Sequence, residues 1–281
     1  MKKTSVSVAL GTFDGIHLAH KKILENALKS EQTICITFKT PPKAGGFIMQ
    51  PELKEKKLYE MGFKKVVMLD FDAVRDISPE DFLKNITDEY NITDFFCGFD
   101  YRFGKNGAGN PELLKSFCEK RGLSAHIEDP IMLENEPISS SKIRSFMKSG
   151  DIGSAIRLLG HPIEISAPVL HGDERGRALG FPTINQALPS GFCELKFGVY
   201  ASSVLIGGKA YDAITDIGIR PTYPVKSPII ETHILDFNCD LYEEQILISL
   251  SSFLREEKKF ANGEELIKQI KTDINTRKGE L

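Results

Sequence analysis

The chain has 281 residues, 41% of them hydrophobic and 27% charged, which is enough for two ordinary domains and typical of a globular protein in water. Its 36 basic and 39 acidic residues leave a formal net charge of -3, which excludes an overall basic surface for nonspecific nucleic-acid binding. There is no signal-peptide pattern and no apolar run long enough for a membrane helix, so neither nucleic acid nor membrane is an expected partner. Five widely spaced cysteines (Cys35, Cys97, Cys118, Cys193, Cys239), odd in number and without a C-x-x-C pair, argue against a disulfide framework or a zinc site and for a reducing cytoplasm.

In chain order, Val6, Val8 and Leu10 alternate as in a strand. Gly11-Thr12-Phe13-Asp14-Gly15-Ile16-His17-Leu18-Ala19-His20 comes next, leading into a helical pattern. A strand, a glycine turn and a helix start aim backbone N–H groups at an anion, and His17 and His20, three apart, share one helix face. Residues 33–38 alternate again, and residues 65–71 and 94–99 are short apolar runs expected of strands covered on both faces. Ser78-Pro79-Glu80-Asp81 and Asn110-Pro111-Glu112 each set a cap residue, a first-turn proline and first-turn acid in order. This half reads as an α/β unit with a parallel sheet.

At the end of the third apolar run stand Cys97-Gly98-Phe99-Asp100-Tyr101-Arg102-Phe103-Gly104, and ligands bind at the carboxyl ends of strands in such sheets. Ser139-Ser140-Ser141-Lys142-Ile143-Arg144 offers hydroxyls and N–H groups at a helix start, plus a guanidinium suited to phosphate. Residues 151–159 read as a short helix stopped by Gly160 ahead of His161-Pro162.

Beyond that break the pattern becomes strand after strand, at residues 163–170, 181–188, 198–206, 211–217, 229–237 and 245–250, with Gly207-Gly208 as a hairpin turn. Such a run predicts a small antiparallel barrel or sandwich, closed by a helix that starts at Asn262 with Glu265 three residues on and reaches about Arg277. Within it lie Gly172-Asp173-Glu174-Arg175-Gly176-Arg177-Ala178-Leu179-Gly180-Phe181-Pro182-Thr183-Ile184-Asn185. Thr183 and Asn185, two apart on a strand, point to the same side and can offer a hydroxyl and an amide oxygen to a hard cation such as Mg²⁺. Glu231 is an acid inside an otherwise apolar strand.

These segments together resemble the bacterial bifunctional riboflavin kinase/FMN adenylyltransferase (FAD synthetase) family. The first string is similar to its G-x-F-D-G-x-H-x-G-H signature, residues 98–104 to G-x-D-F-x-F-G, residues 138–144 to I-S-S-T-x-I-R, and residues 176–185 to G-R-x-L-G-F-P-T-A-N. The resemblance implies a Rossmann-like nucleotidyltransferase domain at 1–160 and a six-stranded riboflavin kinase barrel with a C-terminal helix at 163–281. It implies ATP as co-substrate, Mg²⁺, and riboflavin and FMN as substrates, with a homo-oligomer left open. Glu231 would be the kinase base, Thr183 and Asn185 the metal ligands, and His17, His20 and Arg144 the groups acting on the α-phosphate. Gly11, Phe13, Asp14, Gly15, Asp100, Phe103, Gly104, Ser139, Ser140 and Ser141 would bind nucleotide and flavin in the first domain. Gly172, Arg175, Gly176, Tyr200 and Arg220 would do so in the second. Two places depart from the family pattern: Ala19 replaces a glycine, and Thr40-Pro41-Pro42 lacks an expected histidine. The chain is thus open to three readings, namely both activities, only one of the two with adenylyl transfer the one that these departures put at risk, or a flavin- or nucleotide-binding regulator without turnover.

Overall fold

In the computed structural model, which describes residues 5–42, 45–172, 175–219 and 228–279, the first half forms β1 (Val6–Leu10), α1 (Leu18–Ala27), β2 (Gln32–Phe38), α2 (Pro51–Met61), β3 (Lys65–Leu69), the one-turn α3 (Phe71–Val74), α4 (Pro79–Tyr90), β4 (Asp94–Gly98), α5 (Pro111–Arg121) and β5 (Ser124–Glu128). The five strands are all parallel, in the order β3-β2-β1-β4-β5. Residues of alternating parity face opposite sides of a strand, so Val8, Leu10, Ile34, Ile36, Phe95 and Cys97 share one core with Phe82, Leu83 and Ile86 of α4 and Leu114 and Cys118 of α5. Right-handed crossovers put α1 and α2 on the opposite face.

The helix starts are set by their caps. The Ser78 hydroxyl accepts the Asp81 N–H at 3.1 Å and Asn110 Oδ1 accepts the Leu113 N–H at 2.9 Å, each before a proline that has no N–H to satisfy. The same helices stop at Asn91 (φ 53°) and Gly122 (φ 65°), both left-handed. A small hairpin, β6 (Met132–Leu133) with β7 (Glu136–Pro137), turns through Glu134 and Asn135, both at positive φ.

Next come α6 (Ser140–Ser149) and α7 (Ile152–Leu159), the latter capped by Asp151 and ended by Gly160 at φ 75°. The rest is a barrel: β8 (Ile163–Pro168), the one-turn α8 (Arg175–Ala178), β9 (Ile184–Ala187), β10 (Gly198–Ile206), β11 (Lys209–Gly218), β12 (Ile229–Ile234), β13 (Gln245–Arg255) and α9 (Gly263–Gly279). Its strands pair antiparallel in the order β8-β13-β10-β11-β12-β9, and the Leu170 N–H donating to the Asn185 carbonyl at 2.7 Å nearly closes the ring. Gly207 (φ 57°) and Gly208 (φ 80°) form the two-residue turn between β10 and β11, where both positions need a left-handed residue. Inside the barrel the hydroxyls of Ser202, Thr215 and Thr232 bond in a chain at 2.8 and 2.9 Å, leaving none of the three buried side chains unsatisfied. Helix α9 is tied to the barrel by Arg255 with Asp273 and by Arg277 with Asp212, at 2.9 and 2.8 Å.

Contacts divide the chain into two units, residues 1–47 with 51–140, and residues 48–50 with 141–281. Helix α7 packs on β13 and buries Ile152, Ala155, Leu158 and Leu159. A functional boundary at 160–163 is therefore a proposal that would strip the barrel of this helix. Each buried Leu or Ile contributes roughly 1.5–3 kcal/mol. With a kilocalorie moving Tm by ~4–8 °C at this size, a fragment of residues 151–281 is predicted to melt at least about 5 °C above one of residues 163–281. Equal melting temperatures by circular dichroism would place the stability boundary at 160–163.

Candidate active sites

An open parallel sheet has its crevice where strand order reverses, here at the carboxyl ends of β1 and β4, whose chain neighbours lie on opposite sides. Residues 11–20 leave β1 there and residues 99–104 leave β4. The first of these loops is strained: Phe13 (φ 45°), Gly15 (φ 77°) and Ile16 (φ 38°) are all left-handed. For the non-glycine residues that costs about 1–3 kcal/mol each, tolerated only where the surroundings over-determine the backbone. They do so here. The Thr12 carbonyl accepts both the Thr37 hydroxyl at 2.7 Å and the Lys54 ammonium at 3.1 Å, while Phe13, Asp14, Gly15 and Ile16 are buried. A Cβ at Gly11 would sit 2.8 Å from the Phe13 ring, so glycine is needed for close approach.

Lys54 is a residue that sequence reasoning missed. It is 1% exposed, although its helix is rich in charge, and its ammonium also donates to the Phe38 carbonyl at 2.6 Å. Burial pushes its pKa down to about 8, with the Asp14 carboxylate opposing.

His17 caps α1, its Nδ1 accepting the His20 N–H at 3.3 Å, which leaves the proton of the neutral ring on Nε2. The two imidazoles stack with centroids 3.5 Å apart, and Phe13 meets His20 edge-on. His20 Nδ1 is buried with no hydrogen-bond partner among the described residues. Burial first, then His17 and Lys54, hold this imidazole well below the usual histidine range, so it is neutral at neutral pH. The helix runs regularly through Ala19.

Ser140, the first residue of α6, donates its hydroxyl to the Asp14 carbonyl at 3.3 Å and so meets the turn. Ser139 is half-buried and Ser141 exposed, while Arg144 lies one turn further along α6, in the stretch belonging to the second unit. Asp100 is exposed just past β4. Phe103, by contrast, is buried in the core against Phe82 and Tyr101, and a Cβ at Gly104 (φ 69°) would strike Pro79, so these two residues shape the loop by packing.

In the barrel, register brings the second set together. Asn185 on β9 is directly opposite Glu231 on β12, which is directly opposite Asp216 on β11, so the three side chains form a row on one face. Thr183 is two residues before Asn185. His233, on the same face two residues after Glu231, donates Nδ1–H to the Pro182 carbonyl at 2.8 Å and meets Phe181 edge-on, which pins the segment leading to Thr183. A Cβ at Gly172 would collide with the Asn185 amide, and one at Gly176 with the Phe181 carbonyl, with Thr183 Oγ1 at 3.4 Å. The glycines thus let backbone pack close against these two side chains, whose hydroxyl and amide oxygens are neutral donors that suit Mg²⁺ already carried by phosphates. Thr183 also lines a cleft of about 370 Å³ with Arg177, Thr232, Phe237 and Tyr242. Tyr200 is wholly buried, its hydroxyl donating to the Lys196 carbonyl, which makes it a packing position. Arg175 opens α8, and Arg220 lies outside the described residues, as do Asp173 and Glu174.

A family model for FAD synthetase matches residues 1–142, and one for riboflavin kinase matches residues 159–281. The bifunctional riboflavin kinase/FMN adenylyltransferase of Bacillus subtilis is 31% identical over 283 residues, covering 95% of this chain and 89% of its own. That of Escherichia coli K12 is 31% identical over 281 residues, covering 95% and 90%. A crystal structure described as a macrolide-efflux protein from Streptococcus pneumoniae superposes with a TM-score of 0.87 at 29% identity, covering 99% of this chain and 95% of that one. Among the described residues, no helix is long and apolar enough to cross a membrane.

The depressed His20 pKa carries a sign. The unfolded chain takes up a proton near pH 6.5 that the folded ring refuses, so stability is lost as pH falls below that value, by at most ~1.4 kcal/mol per pH unit for one proton. Urea unfolding between pH 7 and 5 is predicted to show this decline, and His20→Gln to flatten it. An equal decline in the variant would mean that His20 titrates normally.

Proposed function

Because the chain belongs to the bifunctional riboflavin kinase/FMN adenylyltransferase family, we propose that its barrel phosphorylates riboflavin and its parallel-sheet unit adenylylates the FMN produced. The observation that carries the kinase half is the register that sets Glu231 directly opposite Asn185. The Glu231 carboxylate takes the proton of the terminal ribityl hydroxyl as that oxygen attacks the γ-phosphorus of ATP, and the bond to ADP breaks. Thr183 and Asn185 would hold Mg²⁺, which when bound neutralises charge on the ATP phosphates. Gly172 and Gly176 let their own backbone lie close to Asn185 and Thr183, and Arg175 and Arg220 are assigned to the phosphates.

In the second step a phosphate oxygen of FMN attacks the α-phosphorus of ATP and pyrophosphate leaves, giving FAD. The N-terminal end of α1 would favour the anion's charge, and the Nε2–H of His17 would donate to a phosphate oxygen. The unpartnered Nδ1 of the neutral His20 supports a ligand contact at this ring. Gly11, Phe13, Asp14 and Gly15 shape the turn and Ser140 meets it, while Ser139, Ser141, Arg144 and Asp100 are assigned to nucleotide and flavin by their match to the family motifs. No covalent intermediate is needed, since positioning and charge stabilisation account for the transfer. The free state of all five cysteines supports a cytoplasmic setting.

Incubation with ATP, Mg²⁺ and either riboflavin or FMN, then chromatographic separation of the flavins, tests both halves. Glu231→Gln is expected to lower FMN formation by ~10²–10⁴-fold while FAD still forms from supplied FMN. His20→Ala is expected to abolish FAD formation and spare riboflavin phosphorylation. Unchanged FMN production by Glu231→Gln would remove that residue from the mechanism, and a parent protein that makes no FAD would refute the second assignment.

A further inference from the structure

A fully buried lysine is costly unless its charge is well used, and an apolar side chain would fill the same space in α2 without that cost. Lys54 spends its hydrogen bonds on two carbonyls that lie past or at the carboxyl ends of neighbouring strands: Thr12, after β1, at 3.1 Å and Phe38, the last residue of β2, at 2.6 Å. Thr12 is the residue before the left-handed stretch that begins at Phe13. We propose that Lys54 is a positioning residue for adenylyl transfer, clamping the loop after β1 to the end of β2 so that the turn keeps its strained shape and the stacked histidines stay in place. This rests on the assignment of adenylyl transfer to the first unit.

Two further observations bear on it. Thr37 reaches the same Thr12 carbonyl at 2.7 Å, so the clamp has a neutral arm as well as a charged one. The charge of Lys54 also acts, with burial and His17, to keep the His20 ring neutral. A residue that merely filled space would not influence that titration.

The test uses the full chain. Lys54→Met is expected to lower kcat for FAD formation from FMN by about 10²-fold, with little change in KM for ATP, because the side chain touches no substrate and acts by placing groups that do. Riboflavin phosphorylation by the same protein is expected to stay unchanged. The chain has six histidines, few enough to track individually by NMR, and the His20 titration midpoint is expected to rise in the variant. Thr37→Val, which keeps shape and charge but removes one hydrogen bond, is expected to cost ~2–10-fold in the same kcat; it decides the matter if Lys54→Met fails to fold. Full FAD-forming kcat in a folded Lys54→Met, an unmoved His20 midpoint, or an unaffected Thr37→Val would each overturn the clamp. A parent protein that forms FMN but no FAD would instead refute the assignment beneath it.

Discussion

The carbonyl of Thr12 accepts two hydrogen bonds from side chains on other elements, and the first site depends on it. A parallel sheet sends the segment after every strand to the same edge, but it does not dictate the shape that segment takes. Here that shape is unfavourable in itself, with Phe13 and Ile16 in a backbone region that side chains avoid. Burial of Phe13 and Ile16, the glycines at 11 and 15, and the Thr37 and Lys54 contacts hold it there. The return is a helix start at which the capping His17 stacks on the neutral His20 beside the strained turn.

The barrel solves the corresponding problem without strain. In an antiparallel ladder, direct opposition places Asn185, Glu231 and Asp216 in a row whether or not any of them bonds to another. Precision comes from the pairing that also supplies stability, and His233 extends it to Thr183 by way of Pro182. Two chemistries thus sit on two kinds of scaffold: one on a loop made rigid by buried polar contacts, the other on strands that are rigid already.

Much of this is legible in the chain. Capping residues ahead of prolines mark α4 and α5 because their physics is local, and Gly207-Gly208 marks its hairpin for the same reason. The six barrel strands are found, although β9 begins at Ile184, just after Thr183, β12 ends at Ile234, and β13 continues through Arg255, beyond residue 250, where its exposed and apolar residues cease to alternate cleanly. Strand β5 gives no sequence signal, being short and polar at the sheet edge. Lys54 is hidden because Pro51-Glu52-Leu53-Lys54-Glu55-Lys56-Lys57 looks like a solvated helix face; nothing within it separates the buried lysine from Lys56 and Lys57. Neighbouring motif residues assign Phe103 and Tyr200 to ligands, yet an aromatic in a conspicuous motif also packs, and only the fold shows that both are buried. The boundary near residue 160 rests on Gly160 and a change of periodicity, which mark the end of a helix and say nothing of the strand on which α7 rests.

The central claim is that one chain performs two phosphorus transfers of different kind, each at its own site. Isotope position tests it directly. With riboflavin, Mg²⁺ and ATP labelled at the γ-phosphorus, label is predicted in FMN and then in the flavin-side phosphate of FAD. With ATP labelled at the α-phosphorus, it is predicted in FAD and never in FMN. If γ-label enters flavin while α-label does not, even with ample ATP, then the chain has one activity and the account of the first site is wrong.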